Sequence, residues 1–368
     1  MQERIKFHVG MDVHKDSVAW AVAPAGGERA RFVGQTPHEL HAMLNVLKHW
    51  GEPQGIVAVY EAGPTGYGVQ RALCARGYRC EVVAPSLIPR RAGDRIKTDR
   101  RDALRLAELS RAGELTAIWV PEPRDEAVRD VCRAREDAVG TRLNARQQLL
   151  AFLLRHAVRY TGKTRWSLAH RRWLASVHFD DPNLQVTFTE YWQAVVSAEE
   201  RVERLTAAVA QATRGWRLES QVAALQALRG IDQISAAGLV AEIGDLARFG
   251  HPRELMGYLG LVPSEHSSGP SVQRGAITKT GNTHARRLLV EAAWSYRFTP
   301  RIGVRAARRQ EALSEWPRTL AWKAQLRLCR RFQRLTARGL HRNKVCVAVA
   351  RELAGFVWAM ARATPLAT

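Results

Sequence analysis

Residues 6–23 read KFHVGMDVHKDSVAWAVA, two apolar runs meeting at the polar turn His14-Lys15-Asp16, with Asp12 near the end of the first. Short apolar, β-branched runs bounded by polar clusters read as strands. Gly26-Gly27 turns the second into a third, so 5–13, 17–23 and 29–34 are expected to be consecutive strands. Thr36-Pro37 then opens a helix with Glu39 in its first turn and Gly51 at its close. A strand at 55–60, a helix from about 66 to 76 stopped by Gly77, and a strand at 80–84 follow. Three strands and then alternating helix and strand predict an α/β domain with a mixed sheet.

That element order is the order of the ribonuclease H-like fold, and it gives the acidic residues a meaning. Asp12 and Glu61 close apolar strands, Glu61 in GIVAVYEAGPTG just before a Gly/Pro turn. Asp99 and Asp102 stand three apart in RIKTDRRDALRLAEL, where Thr98 or Asp99 caps a helix. The spacing puts both aspartates on one helical face. Singly, such residues are turn formers or helix caps that complement the macrodipole. Together, in this order, they suit a two-metal phosphodiester site, whose Mg²⁺ ions sit roughly 4 Å apart and take oxygen ligands.

Composition narrows the partner. The 368 residues carry 46% hydrophobic and 25% charged side chains, an ordinary globular balance. The net charge of +21 and pI near 10.7 are not ordinary, and mark a polyanion binder. Neither a Lys-rich amphipathic helix nor an apolar run long enough to span a bilayer is visible, so no membrane partner is expected. The amino terminus runs into a strand without a signal peptide, and five cysteines without metal spacing read as reduced thiols of a cytoplasmic protein, nucleoid-associated when on DNA.

Beyond residue 120 the reading turns helical. Residues 124–163 and 187–213 carry apolar positions at three- and four-residue steps, with Trp166, Trp173 and the break Asp181-Pro182 between them. They are expected to form a long antiparallel coiled-coil arm that can hold subunits together. Residues 221–245, QVAALQALRGIDQISAAGLVAEIGD, resemble a helix-hairpin-helix, which offers N–H groups to a phosphate; Asp232-Gln233 replace its second glycine. The loop HSSGPS follows, near Arg274, Lys279, Arg286 and Arg287. Between Arg297 and Lys344 stand fourteen Lys/Arg against Glu311 and Glu315. Trp316, Trp322 and Phe332 are interleaved with them, to stack on bases or to pack the helices. Arg327, Arg330, Arg331 and Arg334 join the four loop cations as candidate nucleic-acid contacts.

Six segments in order carry a family resemblance: GMDVHKDS, YEAGPTGYG, KTDRRDA, LRGIDQISAAGLVAEIGD, LGLVPSEHSSG and GAITKTGNTHARRLLVEAAW. The chain resembles the DEDD-type insertion-sequence transposases, relatives of the Piv DNA invertases, a family that includes bridge-RNA-guided recombinases. The resemblance implies a RuvC-like catalytic domain (1–120), a helical coiled-coil arm (121–218) and a mainly α transposase domain with the serine loop and basic tail (219–368). It also implies Mg²⁺, with Mn²⁺ as a substitute, held by Asp12, Glu61, Asp99 and Asp102. Ser268, directly before Gly269, would be the nucleophile, with Ser267 as the fallback. DNA (element ends and target), a guide RNA, and a homodimer or homotetramer with a composite site are the implied partners. The competing class is a RuvC-like junction nuclease, which uses the same acids on water and needs no serine. Sugar-kinase or actin-type ATPases share the fold but need Gly-rich phosphate loops and have no use for the charge.

Overall fold

The computed structural model describes residues 5–89, 98–269 and 271–364; residues 95–97 of the aspartate-pair stretch and Pro270 of the serine loop lie outside them. The chain divides into two compact units, Met1–Val120 and Pro121–Thr368.

In the first unit β1 (Phe7–Val13) and β2 (Ser17–Pro24) form a hairpin, and β3 (Arg31–Pro37) continues antiparallel. Helix α1 (Leu40–Trp50) leads to β4 (Ile56–Glu61), parallel to β1. Helix α2 (Gly68–Cys74) leads to β5 (Arg79–Val83), parallel to β4, and α3 (Asp99–Ala112) follows. The sheet order is β3-β2-β1-β4-β5, a mixed sheet compatible with a RuvC-like domain. Thr36-Pro37 end β3 instead of opening a helix, and Glu39 is the uncapped residue before α1. An edge strand tolerates proline because that side has no ladder donor to supply.

β1 sorts its side chains by alternation. Val9 and Met11 join Trp20, Met43, Leu47 and Tyr60 in the core on one face. Gly10 faces α3, where a Cβ would stand 2.1 Å from the Ala103 carbonyl oxygen and 2.5 Å from the Ala107 nitrogen. Alanines 19, 21, 23, 103 and 107 complete that close-packed layer. The helix runs antiparallel to β1: His14 meets Asp99 at one end, and His8 Nδ1 lies 2.9 Å from Ser110 Oγ at the other.

The second unit opens with α4 (Pro123–Arg155), α5 (Leu168–Ser176) and α6 (Pro182–Ala212). Helices α4 and α6 lie antiparallel, since Arg124 bonds the Arg214 carbonyl, Arg135 bonds Thr206 and Arg146 pairs with Glu199. α4 stops short of 163, with Ala157 at φ 59° just beyond its end. α6 begins earlier than 187: Asp181 accepts from the Asn183 and Leu184 N–H groups and Pro182 takes the first turn, so Asp-Pro starts this helix. Phe152, Phe179, Tyr191 and the Trp166–His170–Trp173 group pack the far end of the pair.

The rest is a helical body: α7 (Glu219–Leu225), α8 (Gln233–Ile243), α9 (Pro252–Tyr258), the hairpin β6 (Pro263–Glu265) and β7 (Arg274–Ile277), then α10 (Thr283–Ala293), α11 (Val304–Glu311), α12 (Glu315–Ala337) and α13 (Arg342–Arg362). α8 is buried all round from Ala236 to Ile243, and α13 packs against α9, α10 and α12. The start of α8 is closed by its own Asp232, whose carboxylate accepts from the Ser235 N–H at 2.8 Å, so this terminus offers a phosphate less than a free one would. Among the described residues no helix is long and apolar enough to cross a membrane.

Candidate active site

Strand register sets Asp12 and Glu61 on neighbouring strands. Met11 pairs with Tyr60 in the parallel β1–β4 ladder, so the next residues, Asp12 and Glu61, lie on neighbouring strands about 5 Å apart. Glu61 shares its face of β4 with Val59, which packs with Leu106 of α3; Asp12 shares its face of β1 with Gly10. Both carboxylates therefore face the α3 side of the sheet.

α3 brings the other two. The Thr98 side chain caps it by accepting from the Arg101 N–H at 3.3 Å, which places Asp99 and Asp102 in its first turn. His14, absent from the sequence-derived site, joins them. Its Nε2 lies 3.2 Å from Asp12 Oδ2 and 3.4 Å from Asp99 Oδ1. Gln35 on β3, also unforeseen, donates to the second oxygen of Asp99 at 3.2 Å. Ligand atoms of Asp12, His14 and Asp99 all lie within 4.8 Å of one another.

The electrostatics match a cation site. Burial pushes the Asp12 carboxyl above the usual range; His14 pulls it back and the Asp102 and Asp99 carboxylates push it further up. Asp102 Oδ2 is buried with no hydrogen-bond partner among the described residues. An orphaned buried carboxylate oxygen is costly unless a donor or a cation meets it. Hard oxygen donors of this kind fit a divalent ion such as Mg²⁺ or Mn²⁺.

The serine loop belongs to the second unit. Ser268 and Ser271 exchange backbone hydrogen bonds at 3.1 and 3.2 Å, and Gly269 has φ 56°. Both loop serines are exposed. The Ser267 hydroxyl donates to Glu265 Oε1 at 2.8 Å, while Arg274 approaches Glu265 Oε2 at 3.4 Å. The Ser267 hydrogen bond, with Arg274, holds the Glu265 carboxyl below its usual range.

The base of that hairpin is stapled to the helical body. Thr278, Lys279 and Asn282 donate backbone N–H groups to Val262, Gly260 and Tyr258. A Cβ on Gly281 would stand 1.9 Å from the Tyr258 oxygen, which explains a glycine there. Asn282 caps α10 and donates Nδ2 to Glu242 Oε2 at 2.7 Å. Glu242, 4% exposed, also takes two bonds from Arg133 of α4, at 2.7 and 2.9 Å. Burial pushes the Glu242 carboxyl up, but bonds from Arg133 and Asn282 outweigh it and hold it below the usual range. Nothing in its local sequence marked Glu242; its role comes from residues 109 and 40 positions away.

The candidate basic contacts differ in engagement. Arg286 bonds the Leu259 and Thr280 carbonyls, and Arg287 pairs with Glu136 and Glu291. Lys279 has a left-handed backbone, φ 57°, and an exposed side chain. Arg327 and Arg331 share Glu352. Arg330 and Arg334 line a groove of about 540 Å³ beside Trp322, Lys323 and Leu326. Across the Arg331–Glu352 pair a second cavity of about 920 Å³ takes in Arg253, Arg274, Lys344 and Arg351.

A mixed sheet with acidic residues gathered beside its central strands, joined to a mainly helical and cationic unit, defines a DEDD-type enzyme of nucleic acid. A DEDD-type IS110 transposase model matches residues 9–157, and the "Transposase IS116/IS110/IS902 family" model matches residues 222–305. The chain is 48% identical over 357 residues to the y4qE protein of Sinorhizobium fredii, covering 96% of this chain and 88% of that one. It is 34% identical over 347 residues to the transposase for insertion sequence element IS1533 of Leptospira borgpetersenii, covering 90% and 96%. The chain belongs to the DEDD insertion-sequence transposase family.

Proposed function

We propose that this protein is the transposase of an insertion sequence, cutting and rejoining DNA strands at element ends and target with Asp12, Glu61, Asp99 and Asp102 as holders of Mg²⁺. The observation that supports the reading is that ligand atoms of Asp12, His14 and Asp99 lie within 4.8 Å of one another, with Glu61 on the strand beside that of Asp12 and an orphaned Asp102 oxygen in the same helix turn as Asp99. A divalent cation bound there supplies Lewis-acid polarisation of a phosphate and stabilises charge on the leaving 3′-oxygen.

A loop serine is the nucleophile in this reading. Its Oγ forms a bond to phosphorus as the bond to the 3′-oxygen breaks; the serine proton is lost and the 3′-oxygen leaves as a hydroxyl. An incoming 3′-hydroxyl then displaces the serine, so the phosphodiester count is unchanged. Ser268 is favoured by its place before Gly269, whereas Ser267 has the carboxylate of Glu265 as a proton acceptor. The stapled hairpin keeps either hydroxyl presented to solvent.

The basic groove of α12 is the proposed nucleic-acid interface, with Arg330, Arg334 and Lys323 on phosphates and Trp322 on a base. Guide-RNA binding and assembly through the α4–α6 arm, read as a coiled coil, complete the proposal. The experiment is cleavage of element-end DNA by the full chain. Asp12→Asn and Asp102→Asn should remove cleavage while DNA binding stays. Ser268→Ala should remove the covalent protein–DNA adduct and strand exchange, and Ser267→Ala should leave part of both. Full cleavage by both serine variants, with water-derived products and no adduct, would move the protein to the junction-nuclease class.

A further inference from the structure

We propose that His14 is a fifth member of the metal site, a nitrogen ligand that strengthens its hold on Mn²⁺ more than on Mg²⁺. This rests on the reading of the acids as metal holders. Three observations support it. First, His14 Nε2 stands 3.2 and 3.4 Å from oxygens of Asp12 and Asp99. Neighbouring ligands at right angles on an ion, with bonds of about 2.1 Å, are about 3 Å apart, so the spacing is that of adjacent ligands.

Second, the turn holding His14 is fixed from both sides. The His14 N–H donates to the Ser17 carbonyl at 2.8 Å, and its own carbonyl accepts from His38 Nδ1 at 2.5 Å. Third, Gln35 takes Oδ2 of Asp99 and leaves Oδ1, the atom nearest His14, turned toward the cluster. The buried Asp102 oxygen has no donor among the described residues, so the first turn of α3 offers an acceptor besides the two that His14 approaches.

A competing role is that of counter-ion. The imidazole side chain is 49% exposed and free to swing away when a cation arrives. The two roles predict opposite signs. A ligand lost weakens binding, most for ions that accept imidazole nitrogen, whereas Mg²⁺ takes oxygen. A competing counter-ion lost tightens binding of every cation.

The test uses the full chain, as wild type, His14→Ala and Asp12→Asn, titrated calorimetrically with MnCl₂ and with MgCl₂. Electron spin-echo modulation of the Mn²⁺-loaded protein reads ligand nitrogen directly. His14→Ala should weaken Mn²⁺ about tenfold or more, weaken Mg²⁺ less, and abolish the ¹⁴N modulation seen in wild type. Unchanged or tighter binding in His14→Ala, equal losses for the two ions, or no ¹⁴N modulation in wild type would overturn the assignment. Asp12→Asn binding Mn²⁺ like wild type would instead sink the metal reading of the acids, so the two failures are distinguishable.

Discussion

Gly10 of β1 lies so close to Ala103 of α3 that a side-chain carbon on Gly10 would stand 2.1 Å from the Ala103 carbonyl oxygen. That contact sets how deeply α3 seats on the sheet, and with it where Asp99 and Asp102 fall relative to Asp12. The atoms in the way are backbone, so a larger residue cannot be absorbed by a rotamer change.

Gly10→Ala is therefore expected to lift α3 from β1 and destabilise the first unit by about 1–3 kcal/mol. Divalent-cation affinity should fall with it, although no ligand is touched. Denaturant unfolding and calorimetric Mn²⁺ titration would check this; unchanged stability would mean that α3 is not held at Gly10.

Asp12 carries the clearest pH signature. Its folded-state pKa is raised, by burial first and by Asp102 and Asp99 as well. Without a cation its ionisation opposes folding, so stability should rise as pH falls through the raised pKa. Asp12→Asn should raise the cation-free melting temperature by a few degrees and cancel the rise that Mg²⁺ gives wild type. Thermal denaturation between about pH 4 and pH 8, read with and without MgCl₂, is the measurement.

Glu242 should behave in the opposite sense. Its folded pKa is depressed, so its contribution is present above the unfolded value, about 4.3, and is lost as pH falls through the folded one. Glu242→Ala removes the carboxylate that Arg133 and Asn282 share and should cost roughly 2–3 kcal/mol. Limited proteolysis should then cut first at the hairpin that Asn282 anchors. A hairpin as resistant as wild type would show that Asn282 holds it without Glu242.

The α12 groove separates charge from stacking. Arg330→Ala with Arg334→Ala should lower the slope of log affinity against log salt by about 2. Trp322→Ala should weaken single-stranded oligonucleotide binding by about 1–3 kcal/mol and leave that slope unchanged. Fluorescence anisotropy titrations at several salt concentrations read both quantities. Equal duplex and single-strand losses for Trp322→Ala would argue for packing rather than stacking.

Much of this protein was legible in its sequence because the information was local. The apolar runs in 6–23 and before Glu61 define strands whichever way the rest packs. Thr98 is a helix cap by its chemistry, and so is Asp181, although the sequence reading took Asp181-Pro182 only as a break. Strand-end acids and an i,i+3 pair carry their own geometry, which is why four acids could be named before any contact was known. What only the tertiary structure decided lies in contacts between distant residues. His14 reads as a turn residue until α3 sets Asp99 beside it, and Gln35 as an edge residue until it meets the same carboxylate. Pro37 reads as a helix opener until β2 pairs with it. Glu242 reads as one more helix residue until Arg133 and Asn282 close on it. Sequence fixes propensity and face, whereas the burial and partners that decide a side chain's charge and role come from elements the local chain does not contain.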